Sequence, residues 1–109
     1  MDTPKPVRML CVYRVKDGSE ADFLRLLERH WPALSGVGLV TPEPAQVLRA
    51  TDKAGKTVFV ETFVWRDAEA PNVAHQTPEV MAVWEPMGAL ADEMNFLAVE
   101  PVAMSFAKA

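Results

Sequence analysis

Cysteine is almost absent, with Cys11 the only one in 109 residues. An internal disulfide is excluded, and a single thiol in an apolar strand reads as a small buried hydrophobe. Histidine is nearly as scarce, with two. Two imidazoles with no cysteine or carboxylate at ligand spacing make a poor metal site. No apolar run approaches the length of a membrane span, and no apolar signal core follows Lys5. Basic residues are few and scattered, and the net charge is −4, so nothing draws the chain to nucleic acid or to an anionic membrane. A Gly-rich phosphate loop, a Ser-His-Asp order and zinc-ligand spacing are also missing. The expectation is a cytoplasmic protein with no metal, no nucleic-acid partner and no membrane.

What is present is apolar surface: half the residues are hydrophobic, which fits a globular chain. The length suits one domain, residues 1–109, with residues 1–6 a loose tail carrying two prolines. Val7 to Val15 is rich in β-branched and apolar residues and predicts a first strand. Lys16-Asp17-Gly18 is a turn signal. Ser19 is placed to cap a helix whose first turn carries Glu20 and Asp22. Phe23, Leu26, Leu27, Trp31 and Leu34 mark its apolar face, and Pro32 predicts an end or kink near His30. Ser35 to Pro44 reads as a loop and Ala45 to Thr51 as a second strand. Asp52 to Lys56 forms a hairpin connection into a third strand, Thr57 to Arg66.

Thr77 is placed to cap a second helix, with Pro78 at its first position and Glu79 suited to the dipole. Val80, Val83, Trp84, Met87, Leu90, Ala91 and Met94 line one face, with a kink or break expected around Glu85 because of Pro86 and Gly88. Phe96 to Met104 predicts the fourth strand, with Pro101 at an edge, bend or end. The order strand, helix, strand, strand, helix, strand is the α+β ferredoxin-like βαββαβ arrangement with an antiparallel sheet. The third strand is apolar on both faces: Phe59, Phe63 and Trp65 on one, Val58, Val60 and Val64 on the other. Helices cover only one sheet face. The other calls for a partner, and a second copy of the chain is the economical one.

Two segments, Phe63-Val64-Trp65-Arg66-Asp67 at a strand end and Ala74-His75-Gln76-Thr77-Pro78-Glu79-Val80 leading into a helix, carry a family likeness. With the element order, the chain from about Met9 to Met104 resembles the dimeric α+β barrel superfamily and, within it, the antibiotic-biosynthesis-monooxygenase-like domains. That resemblance implies two sheets closing into a barrel in a homodimer, with a pocket between sheet and helices in each subunit. It also implies activities that range from cofactor-free oxidation of polycyclic aromatics to haem degradation. The haem-degrading members carry a Trp at the end of the third strand, matched by Trp65, an Asn where this chain has Tyr13, and a haem-ligating His where it has Trp84-Glu85. Two of three positions depart, so haem is not expected, and no cofactor is.

The candidate chemistry rests on a few side chains. His75, before the second helix, is a candidate base or holder of a substrate oxygen; it also suits closing the loop on a backbone carbonyl. His30, on the apolar stripe of the first helix, points either into a pocket or onto the helix C-terminal dipole. Trp65, Trp84 and Trp31 suit either a cavity for a flat aromatic ligand or an ordinary core. Glu61 shares the apolar face of Phe59, Phe63 and Trp65. A carboxylate there is either partnered, by Arg14 or Arg49 on neighbouring strands, or sits at a pocket. Tyr13 and Arg14 complete the substrate-binding candidates. Met81, Met87 and Met94 suit an adaptable pocket wall or a core. Three functional readings follow. The first is a cofactor-independent monooxygenase-like enzyme acting on a small aromatic or quinol-type molecule, with His75 or His30 as base. The second is a non-catalytic dimeric binding domain. The third is a structural domain whose pocket is filled.

Overall fold

The computed structural model describes residues 4–108. The part of the expected tail at residues 1–3 lies outside the described residues, and 4–6 precede the first strand without regular structure. The strands are β1 (Val7–Val15), β2 (Gln46–Thr51), β3 (Thr57–Trp65) and β4 (Ala91–Val99); the helices are α1 (Glu20–Gly36), α2 (Ala70–Ala74) and α3 (Pro78–Leu90). The sheet order is β2-β3-β1-β4, with every neighbouring pair antiparallel. This is the ferredoxin-like arrangement.

Register fixes which side chains meet. Tyr13 lies opposite Phe59, Cys11 opposite Glu61 and Met9 opposite Phe63. On the other flank Cys11 faces Phe96 and Tyr13 faces Met94. Alternation then puts Met9, Cys11, Tyr13, Phe59, Glu61, Phe63 and Trp65 on one face, where all are buried. The helices lie on that face. Phe23 of α1 sits 5.1 Å from the Tyr13 ring and stacks on Phe59 at 6.1 Å. Leu27, His30 and Leu34 continue the same stripe, and Val80, Val83 and Met87 bury the facing side of α3. The opposite face carries Leu10, Val12, Val58, Val60, Val64, Leu48 and Leu97. None of these belongs to the core that the helices build.

Four points differ from the sequence reading, three of them element boundaries and one the helix caps. First, α1 does not end near His30 but runs through Pro32 to Gly36. Proline forfeits one backbone bond, but the helix beyond it buries Leu34 completely. Second, α3 passes Pro86 to Leu90, holding Met87 in the core. Third, Ser19 and Thr77 make no side-chain cap bond; the Thr77 hydroxyl donates back to the Val73 carbonyl at 2.7 Å. Fourth, the last strand is not Phe96 to Met104. It starts at Ala91, directly after α3, because pairing with β1 takes up the chain there, and it ends at Val99 before Pro101.

The hairpin between β2 and β3 follows the turn chemistry. Asp52 Oδ1 accepts from the backbone N–H groups of Ala54 and Lys56 at 2.8 and 3.0 Å, and Gly55 takes φ +80°.

Candidate functional site

A cavity of about 290 Å³ lies between the sheet and the helices. Its floor is Met9, Phe63 and Trp65, and β4 adds Met94 and Phe96. α1 contributes His30, and α3 contributes Met81, Trp84 and Glu85. Pro71 and His75, from α2 and its C-terminal end, complete the rim. The short α2 is positioned by Asp67, whose Oδ1 accepts from the backbone N–H groups of Glu69 and Ala70 at 3.0 and 2.9 Å. The Trp-Arg-Asp strand end thus places a wall residue, Trp65, and starts the segment that carries His75.

Behind the cavity wall runs a chain of four polar side chains. The Trp84 indole N–H donates to His30 Nε2 at 2.8 Å. His30 Nδ1 lies 2.9 Å from Glu61 Oε1. The Tyr13 hydroxyl donates to the same oxygen at 2.6 Å. An indole nitrogen only donates. His30 Nε2 must therefore be the acceptor, and the imidazole proton sits on Nδ1, where it donates to Glu61. Glu61 and His30 are both fully buried. A buried carboxylate taking two hydrogen bonds on one oxygen is a costly feature for a core to keep. Glu61 Oε2 and Trp65 Nε1 have no hydrogen-bond partner among the described residues.

Burial shapes the other titratable groups here. It pushes the Tyr13 hydroxyl far up, and the negative charge of Glu61 adds to that, so Tyr13 keeps its proton. Burial likewise raises the Cys11 thiol to about 12. Cys11 is therefore a packed, un-ionised side chain.

The structure brings together His30, His75, Trp65 and Trp84 at the cavity. Glu61 lies one residue behind His30, and Tyr13 lies behind Glu61. Arg14 goes elsewhere: it sits on the opposite sheet face and pairs with Asp52 at 3.0 Å and Glu93 at 3.6 Å. Neither arginine partners Glu61, since Arg49 lies over the Phe59 ring at 5.5 Å. His75 is exposed, and its ring meets Trp84 edge-on at 4.8 Å. His30 is not at a helix end, so the dipole account of it does not hold. Met94 was read as a pocket-wall candidate but on the second helix, whose apolar stripe it also fits; it lies on β4, and its strand neighbour Phe96 was not read as a wall residue. Alternation counted from Met94 puts both on the face of Tyr13 and Cys11, but the register shift at Arg14/Val15 defeats a count begun at Ala91. Among the described residues no three His, Cys, Asp or Glu side chains cluster to hold a metal ion, and no helix is long and apolar enough to cross a membrane.

No protein-family model matches the chain, and no curated protein matches it. Solved structures do resemble it. SnoaB, a cofactor-independent oxygenase from Streptomyces nogalater, superposes with a TM-score of 0.68 at 20% identity, covering 89% of this chain and 95% of that one. A protein described as an antibiotic biosynthesis monooxygenase gives 0.69 at 13% identity, with 89% and 99% covered. Rv0793 from Mycobacterium tuberculosis gives 0.65 at 12% identity, with 94% and 100% covered. At these identities the likeness is one of fold: the chain shares the α+β ferredoxin-like fold of SnoaB and of the protein described as an antibiotic biosynthesis monooxygenase.

Proposed function

We propose that this chain is a homodimeric, cytoplasmic, cofactor-independent monooxygenase-like enzyme acting on a small aromatic or quinol-type molecule in the cavity between sheet and helices. One observation carries this reading. His30 holds an unprotonated nitrogen at the wall of an apolar cavity, with its other nitrogen donating to a buried carboxylate. That is the arrangement of a general base fixed in one tautomer by a second residue.

In this reading Nε2 removes a proton from the bound quinol-type molecule. The resulting anion is electron-rich enough to react with oxygen directly: one oxygen atom enters the ring as a carbonyl and the other leaves as water. The apolar walls exclude solvent, and Trp65 packs on the substrate while offering its unpartnered N–H to a substrate oxygen. The similarity of fold to a cofactor-independent oxygenase supports the reaction class. A buried, unpaired cysteine suits a reducing compartment. The uncovered apolar sheet face supports the dimer.

A second reading, binding without catalysis, is favoured by the Trp84 N–H that already occupies Nε2. Oxygen consumption with anthrone in air separates the two. Uptake should exceed buffer and fall by on the order of 10²-fold or more in His30→Ala. His75→Ala should keep most of it, because the exposed His75 ring makes no side-chain hydrogen bond among the described residues. Uptake no faster than buffer would leave the binding reading.

A further inference from the structure

The polar chain behind the cavity leads nowhere. Tyr13 ends it as a donor whose proton is held in place by burial and by Glu61. Among the described residues Glu61 Oε2 meets no partner that would carry a proton onward. Trp84, at the other end, cannot accept one. His30 itself is fully buried. A proton taken up on Nε2 leaves Nδ1–H still donating to Glu61, and among the described residues the route the geometry offers it is back to the molecule that gave it.

We propose that the His30–Glu61 pair works without oxygen as a proton-transfer site, interconverting the keto and enol forms of a flat aromatic ketone whose acidic C–H is conjugated with its carbonyl across one ring. This rests on the reading that the cavity takes such a molecule and that His30 is its base. In the direction of enol to ketone, the enol O–H replaces the Trp84 N–H as donor to Nε2. The O–H proton moves to Nε2 and the oxygen lone pair re-forms the carbonyl; the flat molecule then shifts in its own plane, and the π pair displaced across the ring takes the same proton back onto the conjugated ring carbon. No electron leaves the substrate, so no oxidant is required. His30 is the catalytic residue. Glu61 is a positioning residue that fixes the tautomer and balances the transient charge.

Trp84 masks the base in this scheme. It is half-buried at the rim, and its N–H must leave Nε2 before substrate can bind there. Removing that N–H while keeping a ring against His75 should unmask the site.

The test follows ketonisation of anthranol under argon by loss of its fluorescence. The wild-type chain should accelerate it by on the order of 10²-fold over buffer. His30→Ala should return it to the buffer rate, Glu61→Gln should slow it about tenfold or more, and Trp84→Phe should raise it. A wild-type rate equal to buffer overturns the proposal, as does a Trp84→Phe rate at or below wild type; the latter variant acts at the rim and does not depend on how the core tolerates loss of His30. The two readings fail separately. Ketonisation without oxygen uptake in air sinks the oxygenase and keeps the proton-transfer site. Oxygen uptake that needs His30, with ketonisation at the buffer rate, does the reverse.

Discussion

Trp84 can only give its indole proton, and that restriction propagates inward through His30 to Glu61 and Tyr13. The consequence is measurable. With two histidines in the chain, long-range proton–nitrogen NMR spectra resolve both rings. His30 should show a protonated Nδ1 and a bare Nε2, and Trp84→Phe should move the Nε2 resonance while leaving Nδ1 protonated. The opposite tautomer would break the chain of donors at its first link. Tyr13 supplies one of the two donors on Glu61 Oε1. Tyr13→Phe leaves that buried oxygen with His30 alone, and denaturant unfolding should show a loss of about 1–3 kcal/mol. A smaller loss would mean that the Tyr13–Glu61 hydrogen bond adds little to the fold.

At the scale of elements, the β2–β3 hairpin carries its own pH sensor. The Lys56 backbone N–H, helped by those of Ala54 and by the Arg14 guanidinium, holds the Asp52 carboxyl below its ordinary value near 3.8. A folded-state value below the unfolded one stabilises the fold above about the unfolded value, and the gain is lost as pH falls through the folded one. Asp52→Ala should therefore lower Tm at neutral pH, and its difference from wild type should shrink as the pH drops below that window. A difference that persists unchanged in acid would assign the effect to the turn backbone rather than to the carboxylate.

That hairpin was legible in the sequence because its signals are local: Asp at the start, Gly near the end, alternating strands on either side. β1 was legible for the same reason. The passage of α1 through Pro32 was not, because the penalty is written at one residue while the compensation, burial of His30 and Leu34 against the sheet, is written in another element. The start of β4 was hidden by Met94, which fits both a helical and a strand period. In the site, Glu61 stood out as a carboxylate on an apolar face, and His30 as an imidazole on an apolar stripe. Their pairing was illegible: they lie 31 residues apart, and only the register of β3 beneath α1 brings them together.

On the scale of the whole molecule the outer sheet face is the main unpaid debt of the fold. Leu10, Val12 and Val60 are half-buried, and Leu48 and Leu97 are each 50% exposed. The segment after β4 adds Val102, Met104 and Phe106, exposed at 74%, 64% and 85%, at every second residue. Such alternation suits an extended segment laid against another surface. A chain of this size also buries a modest fraction of its surface alone. All three observations point to a second copy packed on the sheet face. Sedimentation at micromolar concentration should give a dimer for the wild type. Val60→Lys places a charge at the centre of that face without touching the helix-side core, and it should give a folded monomer with unchanged helical circular dichroism. Removing residues 102–109 should weaken the dimer while leaving the monomer fold intact, because none of the side chains of Val102, Met104 and Phe106 packs into its own core. A wild-type monomer, or a Val60→Lys chain as dimeric as the parent, would mean that two copies do not meet through this face. Leu10, Val12 and Val60 would then be left to a partner of another kind.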